Sequence, residues 1–271
     1  MAGFHGRADG PVNLQVVPYP ALTVFIDFGD MLLFDSAAGG QTRGSVVVGV
    51  GAGSIRAEVC KRAVECLQIR LSPVAAHAVL STSSELGGMV VSLEELWGRD
   101  ALRTQERLHD AASWDHRFAI MEAVLTQRRE TGRAVDPEVA FIWGQIVTSR
   151  GRVRIERLAA EVGWSRKRLW SRFRAQIGLT PKRAARLVRF DHAAHRLAAG
   201  HSAAVVAAES GFADQSHLHW DVMAFAGLTP TAVAGAPWLA VDDVAWPAPE
   251  RSPGCDSHRH ARGADHQCGT F

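Results

Sequence analysis

The sequence predicts an α+β protein with a β-rich amino-terminal domain, a helical linker and an all-α carboxyl-terminal domain. Three observations support this fold class. Short apolar runs separated by Gly, Asp and Ser occupy residues 1–95, a helical period dominates 96–149, and one helical unit occurs twice within 150–238. Residues 239–271 show no such pattern, and we expect them to form an extended, disordered tail.

The β-rich domain is predicted from runs of β-branched and aromatic residues. These runs cover residues 22–28, 31–34, 44–50 and 64–71. Gly29 with Asp30, and the stretch 37–40, suit hairpin turns, so an antiparallel sheet or a small barrel is expected. The glycines of 49–53 are interpreted as turn residues because no βαβ unit surrounds them.

Helical spacing of apolar residues continues from residue 93 to 147 after an earlier helix at 73–80. We interpret 96–149 as linker and dimerisation helices. Asp136 and Pro137 are expected to begin the last of these helices, with Asp136 as its N-cap and Pro137 at the first helical position.

The repeated unit is predicted to be a helix-turn-helix. The sequence LAAEVGWSRKRL from Leu158 returns as VAAESGFADQSHL from Val206, and both copies end in GLTP. Gly163 and Gly211 suit the turn, where a positive φ costs glycine little. Ser165 and Asp214 are the expected N-caps of the second helices. In such a unit the first helix supports the second, which enters a DNA major groove.

Charge strengthens the DNA-binding interpretation. The formal net charge of the chain is only +2, yet Lys and Arg greatly outnumber Glu156, Glu161 and Asp191 between Arg150 and Arg196. A local excess of cations in a helical region is what phosphate neutralisation requires. Coinciding with the repeat, it favours double-stranded DNA as the partner.

Residues 150–238 resemble the paired helix-turn-helix domain of AraC/XylS-type transcriptional regulators. The resemblance rests on DQSHL from Asp214 and on FAGLTP from Phe225. It implies that a long helix beginning at Pro181 joins the two units, so that both recognition helices can enter successive major grooves. It also implies a cupin-like amino-terminal barrel that binds a small-molecule effector or dimerises, and RNA polymerase as a further partner.

The resemblance assigns roles to residues on both recognition helices. The residues expected to face bases are Arg166, Lys167, Trp170, Ser171, Gln215, Ser216, His219 and Trp220. Arg166 or Lys167 is suited to guanine and Gln215 to adenine, although Gln215 also suits a capping or phosphate role. The candidates for phosphate contacts are Arg168, Arg172, Arg174, Lys182, Arg183 and Arg186.

Trp220 departs from the family pattern, in which Arg is usual. The indole has a single N–H donor and no charge. Two interpretations stay open: Trp220 presses on a thymine methyl group, or it packs against the neighbouring helix. The second unit is therefore expected to bind DNA more weakly.

Composition narrows the function further. No apolar run of membrane-spanning length and no signal peptide is visible, so a cytoplasmic protein without membrane contact is expected. The resemblance implies a bacterial protein. The cysteines show no disulfide spacing; Cys60 and Cys66 suit either free thiols or a redox switch. His5 and His77 are too few for a metal-binding cupin, and the Cys and His residues of the tail match no zinc pattern. No cofactor, metal or enzyme activity is expected.

The sequence therefore predicts a sequence-specific, homodimeric transcriptional regulator. Two alternatives stay open. One is an architectural DNA binder that tolerates many sequences, given the local positive charge. The other is a barrel enzyme that binds a small molecule and carries an autoregulatory helix-turn-helix.

Overall fold

The structure, a computed structural model, describes residues 1–7, 12–28, 31–35, 41–53, 55–59, 63–81 and 84–235. The strands in the described part are β1 (Ala2–Arg7), β2 (Val12–Val16), β3 (Leu22–Asp27), β4 (Met31–Asp35), β5 (Gln41–Arg43), β6 (Val46–Val48), β7 (Ile55–Val59), β8 (Ala63–Leu71) and β9 (Val90–Ser92). The four predicted strand regions are thus confirmed, although the strand expected at 44–50 is reduced to β6. The predicted turns at 29–30 and 37–40 lie outside the described residues.

The strands form two antiparallel sheets. Strands β1, β8, β3, β6 and β9 form the first in that order, and β2, β7, β4 and β5 form the second. No hydrogen-bonded pair joins the two sheets among the described strands. The antiparallel prediction is confirmed, whereas the barrel suggested by the resemblance is not closed.

Alternate side chains of β3 enter different cores. Leu22 and Val24 are buried in the main core with the helices. Phe25 points the other way and packs with Ile55 of the second sheet and with Cys66. This alternation follows from the two-residue period of a strand, and burial on both faces explains why β3 is mostly apolar.

Cys66 is buried between the sheets, as expected for a small hydrophobic residue. Burial, reinforced by the charge of Asp27, raises the pKa of the Cys66 thiol to about 12. The thiolate is the reactive form of cysteine, so Cys66 stays unreactive near neutral pH. This weakens the redox-switch interpretation; Cys60, its suggested partner, lies outside the described residues.

The helices follow the predicted periods closely. They are α1 (Pro73–Leu80), α2 (Leu93–Trp97), α3 (Arg99–His109), α4 (Trp114–Thr131), α5 (Pro137–Thr148), α6 (Ile155–Glu161), α7 (Arg166–Ile177), α8 (Pro181–Ala198), α9 (Ala203–Glu209), α10 (Gln215–Ala226) and α11 (Pro230–Gly235). Their order confirms the expected α+β class, with the strands first and the all-α region last.

The predicted linker region divides between two neighbours. Helix α4 is fixed to the first sheet by Arg117, whose guanidinium pairs with Glu65 and lies 4.2 Å from the ring centroid of Phe28. Helix α5 instead packs against α7 and α8. Its residues Val139, Ile142 and Ile146 are fully buried, so α5 shares the core of the carboxyl-terminal helices.

The glycine loop, residues 49–53, packs against the carboxyl-terminal helices. Gly51 packs against Leu179, and the Arg183 guanidinium donates a hydrogen bond of 3.2 Å to the Gly51 carbonyl oxygen. Gly49 is required by close approach, because a Cβ there would lie 1.6 Å from the Leu86 carbonyl oxygen. Gly49 and Gly51 therefore allow close chain packing, and Gly51, with a φ of +69°, fits its interpretation as a turn residue.

Candidate nucleic-acid interface

The first helix-turn-helix consists of α6, a glycine turn and α7. Gly163 adopts a φ of +66°, which few residues other than glycine tolerate. The Ser165 hydroxyl accepts a hydrogen bond of 3.2 Å from the Arg168 amide and caps α7. Gly178, with a φ of +85°, ends the helix in the left-handed conformation. The predicted turn and N-cap are confirmed.

The second unit repeats this construction with α9 and α10. Gly211 forms the turn with a φ of +77°. The Asp214 carboxylate accepts a hydrogen bond of 2.7 Å from the His217 amide, and Gly227 ends α10 in the left-handed conformation. From the N-cap onward the two units align with a constant offset along the chain: Ser165 corresponds to Asp214, Gly178 to Gly227, and Pro181 to Pro230.

Helix α8 joins the two units through its buried face. Thr180 caps its start, accepting a hydrogen bond of 3.3 Å from the Arg183 amide, and Pro181 occupies the first turn as predicted. Phe190 is buried on α8 and lies 5.1 Å from Phe225 of α10, measured between ring centroids. A continuous core between α8 and α10 holds the second unit on the joining helix.

Asp221 on α10 is the main polar contact between these helices. Its carboxylate is 2% exposed and accepts hydrogen bonds of 2.7 Å and 3.2 Å from Arg186, while Arg189 lies 3.3 Å away. This role of Asp221 was not predicted from the sequence. The sequence did contain one indication of it. Asp221 lies between the core residues Leu218 and Val222, so its side chain must lie on or beside the buried face of α10.

The residues predicted to face bases lie on the outer sides of α7 and α10. Arg166, Lys167, Ser171, Gln215, Ser216 and His219 are exposed, and Trp170 is half-buried. Trp220 has 72% of its surface exposed. Packing of Trp220 against a neighbouring helix, one of the two interpretations left open, is therefore wrong, because so exposed an indole is not packed.

The candidate phosphate contacts fall into two groups. Arg168, Arg174 and Lys182 are exposed, and the Arg168 guanidinium lies 4.7 Å from the ring centroid of Trp164. The second group already has partners within the protein: Arg183 binds the Gly51 carbonyl oxygen, Arg186 binds Asp221, and Arg172 donates two hydrogen bonds of 2.8 Å to Asp136. The three residues of the second group thus have structural roles that the sequence did not reveal.

Asp136 also has a structural role that its position in the sequence did not reveal. It occupies the N-cap position of α5, as predicted, but its side chain makes no capping hydrogen bond. Burial opposes ionisation, yet the hydrogen bonds from Arg172 prevail and hold the pKa of Asp136 below its usual value. The carboxylate therefore anchors α7 instead of capping α5.

A basic cleft lies where α8 begins beside the end of α10. It has a volume of about 390 Å³ and is lined by Thr180, Lys182, Arg183, Arg186, Ala224 and Phe225. Cations at the junction between two recognition helices would face the phosphates that separate successive grooves, if both helices bind one duplex. Of its cations, Arg183 and Arg186 also bind Gly51 and Asp221, whereas Lys182 is exposed to solvent.

His192 on α8 gives the folded protein a measurable pH dependence. Burial and the neighbouring Arg150, whose guanidinium lies 3.5 Å from the imidazole, lower the pKa of His192 from 6.5 to about 4. The unfolded chain therefore binds a proton near pH 6.5 that the folded chain binds only near pH 4. By linkage, stability falls as the pH decreases from 6.5 to 4.

We expect His192→Gln to reduce this loss of stability by about 1 kcal/mol, a value discounted for solvent screening. The measurement is urea unfolding of both proteins at pH 7 and pH 4.5. His77, whose pKa is also lowered by burial, contributes with the same sign and is retained in both proteins. An equal loss in the wild type and in His192→Gln would contradict the assignment.

The described residues lack two further features. There, no group of three or more His, Cys, Asp and Glu side chains is arranged to hold a metal ion. The tail residues Cys255, His258, His260, His266 and Cys268 lie outside this part of the chain. None of the described helices combines the length and apolar character needed to cross a membrane.

Comparison with known proteins adds a family and a fold. Residues 158–235 match the model of a helix-turn-helix domain family, which is of the AraC type. A ToxT structure from Vibrio cholerae, in a P21 crystal form, is 12% identical with a TM-score of 0.50 and covers 86% of this chain and 97% of ToxT.

A second ToxT structure, bound to (E)-4-(8-methylnaphthalen-1-yl)but-3-enoic acid, is 11% identical with a TM-score of 0.50. It covers 87% of this chain and 99% of ToxT. At these identities the likeness shows the fold alone. Comparison with curated protein sequences gave no significant match. At residues 158–235 the chain therefore carries an AraC-type helix-turn-helix domain, the DNA-binding domain of a family of transcriptional regulators.

Proposed function

We propose that this protein is a sequence-specific transcriptional regulator that binds two successive major grooves of one duplex with α7 and α10. The observation that carries the proposal is the repetition of a complete helix-turn-helix on a single joining helix. Each unit has a glycine in its turn, a capping side chain at the start of its second helix and a left-handed glycine at the end of that helix. The 18 residues of α8 span about 27 Å, which is comparable to the repeat of the major groove.

The exposed residues of α7 suit direct contacts with bases. Arg166 and Lys167 lie in the first turn of the helix, where side chains of a recognition helix reach base edges, and both can donate to guanine O6 and N7. Arg174 and Lys182 are exposed cations better suited to phosphates. Gln215, in the first turn of α10, is suited to adenine.

We further propose that the amino-terminal part controls DNA binding, through an effector or by forming a homodimer. The support is a direct contact between the two parts: α1 packs against α7, and the glycine loop holds Leu179 and Arg183. Because one of the ToxT structures holds an apolar carboxylic acid, compounds of this class are the first effectors to test. Contact with RNA polymerase belongs to the same proposal.

The test is selection of bound duplexes from a random-sequence pool by the full-length protein at physiological salt. We expect an enriched motif of two boxes about one helical turn apart. A single box would mean that only one unit contacts bases. Equal binding of selected and scrambled duplexes with the same salt dependence would contradict the proposal and support the architectural binder.

Variants of α7 and α8 separate base contacts from phosphate contacts. Lys167→Ala should relax the preference at one base pair, with a loss of discrimination of about 1 to 3 kcal/mol. Lys182→Ala should instead weaken binding to all sequences and reduce the slope of log K against log salt by about 1. Equal losses across the pool for both variants would contradict the base-contacting role of Lys167. Arg186 is unsuitable for this comparison because it holds the buried Asp221.

A further inference from the structure

The two recognition helices differ completely in charge. Helix α7 carries five cations, which are Arg166, Lys167, Arg168, Arg172 and Arg174. Helix α10 contains no Lys or Arg, and its only acid, Asp221, is buried against Arg186 and Arg189. Since the backbones of the two units repeat the same construction, the difference lies in what the side chains can contact.

The outermost stripe of each helix shows the difference most clearly. In α10 it consists of Ser216, Trp220 and Met223, which follow one another at helical spacing opposite the buried face. Trp220 is 72% exposed and Met223 is 38% exposed. With the offset between the units, the corresponding positions in α7 are Lys167, Ser171 and Arg174. A polar, cationic stripe in the first unit is thus replaced by one whose two large side chains, Trp220 and Met223, are apolar.

The position of the apolar stripe indicates what it contacts. Lys182 and Arg183 of α8 line the basic cleft together with Ala224 and Phe225 of α10. Positive charge therefore lies directly beside α10. Lys182, an exposed cation of the cleft, can hold a duplex by a phosphate, and α10 then faces the groove without a Lys or Arg of its own. Among the groups that a major groove presents, the C5 methyl group of thymine is the apolar one.

We infer that the second unit recognises thymine methyl groups by apolar contact with Trp220 and Met223. The inference rests on the proposed function, because it requires that α10 enters a major groove. An indole supplies a large rigid apolar surface for little loss of conformational entropy. Specificity at the second box then comes from methyl groups, and the dependence on salt comes from the first unit and the cleft.

The test replaces thymine with deoxyuridine, which removes only the methyl group. Full-length protein is titrated with the selected duplex, with a duplex that carries deoxyuridine in the second box, and with one that carries it in the first box. For the wild type we expect a loss of affinity of about fourfold for each methyl group contacted in the second box. Trp220→Ala should bind the thymine and deoxyuridine duplexes with nearly equal affinity.

Two variants serve as controls. Val205→Ala shortens another exposed apolar side chain, on α9, and should retain the full deoxyuridine effect. Trp220→Ala should leave the salt slope unchanged, whereas Arg174→Ala should reduce it by about 1. Because Trp220 is exposed, Trp220→Ala should unfold at the same urea concentration as the wild type, and this shows that the variant is folded.

The outcomes separate this inference from the proposed function. Enrichment of a specific motif together with no deoxyuridine effect in the second box would overturn the inference alone. An equal deoxyuridine effect in the wild type and in Trp220→Ala would also overturn it, as would unchanged DNA binding by Trp220→Ala. Failure to select any sequence would overturn the proposed function itself.

Discussion

Phe173→Ala should lower the free energy of unfolding by about 3 to 5 kcal/mol, the range found when a buried aromatic side chain is truncated. Phe173 is fully buried (0% exposed) on α7. Its removal leaves a cavity between α7 and the helices that support it, because a close-packed core relaxes only partly. We expect the first unit to lose its orientation and specific DNA binding to be lost with it.

The measurement is urea unfolding monitored by circular dichroism. Arg174→Ala is the matched control, since the neighbouring residue is exposed and its truncation should change stability by less than about 0.5 kcal/mol. A loss of less than about 1 kcal/mol in Phe173→Ala would show that α7 does not depend on this side chain for its packing.

Asp221→Ala should destabilise the protein by about 3 kcal/mol, because the guanidinium groups of Arg186 and Arg189 lose the carboxylate with which they pair. Arg189 is largely buried, with 15% of its side chain exposed, so water compensates little for the loss. Arg186 is more exposed and can turn towards solvent. The contact between α8 and α10 should loosen, and binding to the second box should weaken more than binding to the first.

Glu209→Ala provides the control for Asp221→Ala. Glu209 pairs with Arg196, but its side chain is 53% exposed, and such pairs contribute about 0 to 1 kcal/mol. Equal urea midpoints for the two variants would contradict a structural role for the buried carboxylate. Loss of second-box binding in Asp221→Ala without loss of stability would indicate that Asp221 acts on DNA recognition instead.

Local signals made the carboxyl-terminal domain predictable. A turn glycine, a capping Ser or Asp and a GLTP terminator each act within a few residues, so their effects can be deduced from the sequence. The same holds for Leu169 and Leu218: each lies four residues before another apolar residue, a helical spacing that indicates a buried face, and both are fully buried. The repeat of all these signals together identified the helix-turn-helix.

The amino-terminal part was less predictable, because strand formation depends on partners distant in the sequence. Strands β1, β2, β5, β7 and β9 were not predicted. The sequence of β7, IRAEV, mixes charged and apolar residues, and β9 has only three residues. Both strands are defined by their pairing: β7 pairs with β2 and with β4, whereas β9 pairs with β6. The separation into two sheets likewise depends on these long-range pairs.

The sequence by itself determined the two helix-turn-helix units, their caps and the cationic character of α7, since these depend on residues close together in the chain. Only the tertiary structure decided which cations are available to DNA. Arg172, Arg183 and Arg186 resemble the other cations in sequence, but each is held by a group 35 or more residues away. The exposure of Trp220 was decided in the same way, because the packing around α10 leaves the indole in solvent.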